Sequence, residues 1–246
     1  MATILLANEL GDGLGHVMKL APMARAFAER GHEPVFAVTD IVTAATVLRD
    51  TQFPLFQVPV WRTRPERTGQ RFRGARSFAD ILSVHGYDDA DALLAMVGAW
   101  QRIMDVTGAD LVIADHSPTL CLATYGGTPT VVVGNGFTVP PAETPKFPVF
   151  QPNLPALVSD EDLLESISKV QKARGRPTPD TVPGLYGEAT CLICTLPELD
   201  PYGQFRSEPA IGPIVGLLEP APMPKKQRFF AYLHANRREM KDILSG

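Results

Sequence analysis

Cysteine is scarce in this chain. Three occur in 246 residues, which speaks against a disulfide-stapled secreted scaffold and suits a reducing compartment. No second C-x-x-C accompanies Cys191 and Cys194, so a thiolate zinc site lacks its other half. Both lie in the apolar run Thr190–Leu196, which reads as a strand. Residues three apart on a strand point to opposite faces, so the two sulfurs diverge and read as structural. Cys121, in an apolar helical stretch, reads as a small core residue. Positive charge is not in excess either: 23 Lys and Arg face 27 Asp and Glu, for a net charge of −4. That balance argues against nucleic acid as a partner. Long hydrophobic runs are missing. None approaches the ~20 residues of a membrane span, and the N-terminus lacks the basic and apolar regions of a signal peptide. A cytoplasmic location is expected. No period of roughly 20–50 residues marks a repeat protein.

What the chain does have is alternation. A hydrophobic fraction of 45% and a charged fraction of 20% are those of an ordinary globular protein. Thr3–Ala7 reads as a first strand, apolar enough to be covered on both faces. Val17–Arg30 follows as an amphipathic helix, with Met18, Ala21, Ala24 and Ala28 at helical spacing, Pro22 near its start and Gly31 past its end. Glu33–Val38 is a second strand, Ile41–Arg49 a helix and Pro54–Pro59 a short third strand. Ser77–His85 and Ala90–Val106 read as helices; Leu93, Leu94, Val97, Trp100 and Met104 supply the stripe of the latter. Asp110–Asp115 is a buried strand bracketed by carboxylates, Thr119–Tyr125 a short helix, and Thr130–Gly134 another buried strand. Asn135–Pro155 is a proline-rich loop. Asp160–Arg174 is a helix with Ser159 as its N-cap, and Thr190–Leu196 a further strand. This order predicts an α/β fold: a doubly wound, Rossmann-like parallel sheet with helices on both faces.

Two stretches break the alternation. Trp61–Arg76 carries Arg62, Arg64, Arg67, Arg71, Arg73 and Arg76 against Glu66 and reads as a long exposed loop. Pro209, Pro213, Pro220, Pro222 and Pro224 keep the segment 208–227 extended, as in a linker. The expected organisation is one domain over 1–207, the linker 208–227, and the opening strand (Arg228–Leu233) and helix (Arg237–Leu244) of a truncated second domain over 228–246. Two elements do not bury a core of their own.

The chemistry points to the first turn. Gly11-Asp12-Gly13-Leu14-Gly15-His16 joins a strand to a helix, as in a nucleotide-binding unit. Where a dinucleotide fingerprint wants its third glycine, this chain has His16, a titratable imidazole at the mouth of the sheet. In a doubly wound sheet the first and fourth strands lie side by side, and ligands bind at their carboxyl ends. That brings Asp115 to His16. An aspartate bonded to an imidazole fixes its tautomer and supports the imidazolium, which makes a general base. The plainer reading is a helix-capping histidine and a turn-starting aspartate. His116 is a rival base, but strand neighbours face opposite ways, so at most one of Asp115 and His116 should aim into the crevice. His32 reads as a solvent-facing turn residue; His85 and His234 have no carboxylate context. A dinucleotide-binding oxidoreductase module is the competing reading. Gly11, Gly13 and Gly15 suit a phosphate turn, and Asp40 sits where a ribose-binding carboxylate belongs, but His16 would crowd the pyrophosphate. A non-enzymatic binding module that needs a partner chain is a third.

The runs Gly13-Leu14-Gly15-His16-Val17, Leu20-Ala21-Pro22 and Ala26-Phe27-Ala28-Glu29-Arg30-Gly31-His32-Glu33 resemble the N-terminal domain of GT-B glycosyltransferases, in particular the UDP-glucosyl/glucuronosyl and macrolide-type group. Pro197-Glu198-Leu199-Asp200 resembles the peptide near the end of that domain, Ile211-Gly212-Pro213 its linker, and Phe229–Leu233 the first strand of the second domain. The resemblance implies that His16 is the catalytic base and Asp115 its partner. It implies inverting transfer of a sugar from a nucleotide-sugar to the hydroxyl of a small, hydrophobic acceptor. Gly15, Trp61, Asn135 and Phe137 would border the acceptor. No cofactor and no metal are implied. The family's donor motif lies well past residue 246, so the chain is expected to be the acceptor half, inactive until a C-terminal domain or partner chain supplies the donor site. The arginines of Trp61–Arg76 would attract an anionic acceptor or a membrane surface, though a solvated loop is the plainer reading.

Overall fold

Strands and helices alternate to build a six-stranded, all-parallel sheet in the order β3-β2-β1-β4-β5-β6. The strands are β1 Thr3–Asn8, β2 Glu33–Val38, β3 Leu55–Gln57, β4 Leu111–Asp115, β5 Thr130–Gly134 and β6 Thr190–Ile193. The helices are α1 Leu14–Glu29, α2 Ile41–Val47, α3 Phe78–Val84, α4 Ala90–Thr107, α5 Pro118–Thr124 and α6 Asp160–Ala173. This computed structural model describes residues 1–11, 14–61 and 74–214.

Side chains alternate between two core layers because successive strand residues face opposite ways. Leu5, Ala7, Val35, Val112 and Val132 pack on one face with Leu93, Val97 and Trp100 of α4 and with Leu163 and Ile167 of α6. Ile4, Leu6, Phe36, Ile113 and Val133 pack on the other with Val17, Leu20 and Ala24 of α1 and Ala44 of α2. Both faces are covered, which is why the strands are almost continuously apolar. The same alternation separates the two cysteines: Cys191 packs against the first layer and Cys194 lies in the second.

Several helix ends follow from local chemistry. Ser159 Oγ accepts from Asp162 N at 3.0 Å and caps α6, as its sequence suggests. Gly108, at φ 63°, closes α4 in the left-handed conformation. Helix α1 differs from expectation. It begins at Leu14 rather than Val17, so Pro22 lies more than two turns inside it. Its buried stripe is Val17, Leu20, Ala21 and Ala24, while Met18 is 56% exposed and Ala28 faces solvent. The proline gives the reason. Pro22 has no N–H for the Met18 carbonyl, and keeping both on the outer face lets water take that oxygen.

Other differences are smaller. The β3 strand is confined to Leu55–Gln57, between Pro54 and Pro59, because proline donates nothing to a ladder. The last strand ends at Ile193. His32 is half-buried rather than solvent-facing, with its ring edge-on to Phe27 at 6.2 Å. Arg76 is pinned: its Nη1 donates to the carbonyls of Pro152 (3.0 Å) and Leu154 (2.8 Å). The other arginines of that loop, 62 to 73, lie outside the described residues, as do His234, the strand Arg228–Leu233 and the helix Arg237–Leu244. The expected linker is described only as far as Ile214. Among the described residues no helix is long and apolar enough to cross a membrane.

Candidate active site

The parallel register sets Asn8 of β1 beside Asp115 of β4. This is the central strand pair, at the carboxyl edge where an open α/β sheet forms its crevice. Asn8 ties the strand tips together: its Nδ2 donates to the Leu10 carbonyl at 2.8 Å, and Thr39 Oγ1 donates to its Oδ1 at 2.7 Å. Beyond Leu10 the chain turns through Gly11 into α1, whose third residue is His16.

His16 Nδ1 lies 2.9 Å from Asp115 Oδ2, across 99 positions of sequence. The Asp115 side chain is fully buried and that of His16 is 16% exposed. A neutral His16 donates its Nδ1–H to the carboxylate, which leaves the lone pair on Nε2. Gly11 makes room for it: a Cβ on Gly11 would stand 2.5 Å from His16 Nε2, and Gly11 has φ +89°. Gly15, by contrast, has nothing within 4 Å of such an atom and lies in the helix. Two opposite outcomes are expected. Gly11→Ala displaces the imidazole and strains the turn by about 1–2 kcal/mol. Gly15→Ala fits, and removes a helical glycine that costs up to about 1 kcal/mol. Thermal unfolding of both variants, with histidine ring resonances as the local readout, checks the pair.

Lys19, one helical turn after His16, also reaches Asp115. Its Nζ donates to Oδ1 at 3.0 Å and to Oδ2 at 2.9 Å. The carboxylate is therefore shared between an imidazole and an ammonium. Sequence reasoning passed over Lys19, although an i, i+3 spacing on a helix places it on the face of His16. His116 is also at the site. It lies just past the end of β4 at φ 49°, so strand alternation no longer applies to it. Its ring stands 6.0 Å from that of His16, with an interplanar angle of 26°. Asp115 and His116 thus both approach His16, where at most one was expected.

Glu9 is a further residue that sequence reasoning passed over. It follows β1 directly and is 4% exposed. Its Oε1 accepts from Trp61 Nε1 at 3.1 Å and its Oε2 from Thr119 N at 2.9 Å. Burial pushes its pKa up to about 7, against the pull of those hydrogen bonds. The fold therefore favours the protonated form. The corresponding stability is complete below pH about 4.5, the ordinary value for this carboxyl, and is lost as pH rises through about 7. The change is roughly 3 kcal/mol at 1.36 kcal/mol per unit. Glu9→Gln should flatten the pH dependence of stability in this interval. Urea unfolding of both proteins at several pH values measures it; parallel curves would refute the raised pKa.

With this geometry in view, comparison with known proteins bears on the fold. No protein-family model matches the chain, and no curated protein matches its sequence. Solved structures do match. CalG4, the calicheamicin glycosyltransferase, is similar with a TM-score of 0.52 and 18% identity, over 86% of this chain and 51% of that one. The glycosyltransferase SnogD from Streptomyces nogalater is similar with a TM-score of 0.51 and 17% identity, over 92% of this chain and 55% of that one. The fold is that of one Rossmann-like domain of a GT-B glycosyltransferase. At such identities the likeness establishes the fold alone, and the chain spans about half the length of either glycosyltransferase.

The remaining candidates divide into those that reach the crevice and those that serve the frame. Trp61 is tucked in: besides its bond to Glu9, its ring lies 5.9 Å from Tyr87 and would stand 3.0 Å from a Cβ on Gly86. Asn135 is exposed, and its Oδ1 accepts from the backbone N–H of Thr138, three residues on, at 3.0 Å. Phe137 is half-buried, with its ring 6.4 Å from His116 and 5.6 Å from Phe150. The rim loop is fastened from below. Arg206 Nη2 donates to the carbonyls of Gly136 (3.2 Å) and Val139 (2.6 Å). Arg206 also pairs with Asp200, both side chains being buried, and Asp200 closes the Pro-Glu-Leu-Asp peptide. Asp40 is occupied as the N-cap of α2, accepting from Val42 N and Thr43 N at 3.0 Å. That use counts against a ribose-binding carboxylate. Among the described residues no three His, Cys, Asp or Glu side chains are grouped to hold a metal ion.

Proposed function

We propose that this chain is the acceptor-binding half of an inverting glycosyltransferase, with its acceptor domain over 1–207, a linker over 208–227 and the opening of a donor-binding domain over 228–246. His16 is the general base and Asp115 its partner. The observation that carries this reading is the 2.9 Å contact between His16 Nδ1 and the fully buried Asp115 carboxylate, at the carboxyl edge of a GT-B-type sheet. His16 Nε2 takes the proton of an acceptor hydroxyl. The hydroxyl oxygen bonds to the anomeric carbon as the bond from that carbon to the nucleotide's phosphate oxygen breaks, so configuration inverts. Asp115 offsets the charge that forms on the imidazole. The acceptor is a small, hydrophobic molecule bordered by Gly15 and Phe137, with Trp61 and Asn135 shaping the walls.

The protein works in the cytoplasm and needs a donor half from the same polypeptide or a partner chain. The test joins a GT-B donor-binding domain to the chain and supplies nucleotide-sugars with hydrophobic hydroxyl compounds. Transfer with inverted anomeric configuration is expected from the completed protein, and none from the 246 residues alone. Retained configuration, or tight NAD(H) binding by the isolated chain, would overturn the reading.

A further inference from the structure

Lys19 brings an ammonium to the carboxylate that the proposed base depends on. Its Nζ donates to Asp115 Oδ1 at 3.0 Å and to Oδ2 at 2.9 Å, and His16 Nδ1 lies 2.9 Å from the same Oδ2. One oxygen thus serves both cations-to-be. The other titratable groups that face this cluster are uncharged at neutral pH. His116, just past β4, holds its ring 6.0 Å from that of His16, and burial pushes its pKa down to about 4. Cys194, just past β6, senses both Lys19 and Asp115, and burial raises its thiol above the ordinary value. Among the described residues, the field at His16 therefore comes from one carboxylate and one ammonium. With a neutral imidazole the three side chains are neutral overall, and proton uptake leaves them with one positive charge. An Asp–His pair without the lysine would instead start negative and end neutral. Asp115 is fully buried, and Lys19 and His16 are only 17% and 16% exposed. Water and salt therefore screen the difference only in part.

Resting on the reading of His16 as base, we propose that Lys19 is a positioning residue that acts through Asp115 and sets how tightly His16 Nε2 holds a proton. The ammonium offsets the carboxylate that would otherwise favour the imidazolium, and it repels the imidazolium itself. Both effects loosen the proton on Nε2. The lone pair of the resting imidazole then stays free to lower pH than an Asp–His pair alone would allow. Lys19 also keeps Asp115 ionised, so Nδ1 carries the hydrogen and Nε2 the lone pair. The cost is a weaker base in the transfer step itself. Lys19 thus trades base strength for a working range that reaches further into acid.

The experiment titrates the full chain and follows the imidazole nitrogen resonances of His16, assigned by their loss in His16→Gln. Three variants are compared with the unaltered protein. Lys19→Met removes the charge and the hydrogen bonds, whereas Lys19→Gln removes the charge and keeps a donor. Both should raise the affinity of His16 for a proton by at least ~10-fold, the effect of one nearby charge. Lys19→Arg keeps the charge and a donor fork for the carboxylate, and should stay within about twofold of the unaltered protein. In the chain completed by a donor-binding half, the acid limb of the transfer rate should move to higher pH in Lys19→Met and Lys19→Gln and stay in place in Lys19→Arg. A lysine that merely anchored α1 would leave the proton affinity of His16 unmoved in all three variants, and that result would overturn the inference. So would a rise in Lys19→Met that Lys19→Gln lacks, because the hydrogen bond rather than the charge would then be at work. The base reading fails by a different result, transfer that survives His16→Ala, while the titration alone decides the charge coupling.

Discussion

His16→Ala, in the chain completed by a donor-binding half, is expected to slow sugar transfer by about 10²–10⁴-fold, the usual contribution of a positioned general base. Its effect on stability should be slight. The partner that loses a hydrogen bond is Asp115, and the Lys19 ammonium still bonds both of its oxygens. The imidazole sits at the crevice edge rather than in either core layer. Steady-state transfer rates, with thermal unfolding as a control, decide the matter. Unchanged turnover in a well-folded variant would remove His16 from the mechanism.

Asp115→Ala should behave differently, because it loses activity and stability together. The carboxylate is fully buried, and its removal leaves the Lys19 ammonium, itself 17% exposed, beside the imidazole without a counter-charge. Breaking a buried pair from one side costs about 3–5 kcal/mol. The partial exposure of Lys19 and His16 puts the expected loss near 3 kcal/mol, since water relieves part of the uncompensated charge. Removing both charges, as Lys19→Met with Asp115→Leu, should recover most of it. Urea unfolding of the double variant and of its own singles, Lys19→Met and Asp115→Leu, gives the coupling. A double variant no more stable than Asp115→Ala would show that the carboxylate holds the strand tips by some other means.

The site was legible where its parts follow from period and topology. A near-continuous apolar strand, a glycine turn and a helix placed His16. The alternation of strands with helices placed β4 beside β1, and with it Asp115 beside His16, though 99 positions separate them. Lys19 was within reach of the same reasoning, being one turn further on the same helix face. His116 was misjudged because strand alternation was carried one residue past the strand's end, where φ changes sign. Glu9 offered no signal. A carboxylate after a strand reads as solvated, and its burial depends on Trp61 and Thr119, which arrive from elsewhere in the chain. The outward face of α1 turned on where the helix starts, and Gly13-Leu14-Gly15 does not announce that.

By itself the sequence determined the layered α/β architecture, the strand order at the sheet's centre and the meeting of one imidazole with one carboxylate. These follow from side-chain periodicity and the short connections between elements, which leave few ways to cover both faces of a parallel sheet. Only the tertiary structure decided how that carboxylate is divided between His16 and Lys19, that Glu9 is shut away from water, and that His116 turns its ring toward His16. Each depends on groups distant in the chain converging within a few ångströms, and no local pattern encodes that convergence.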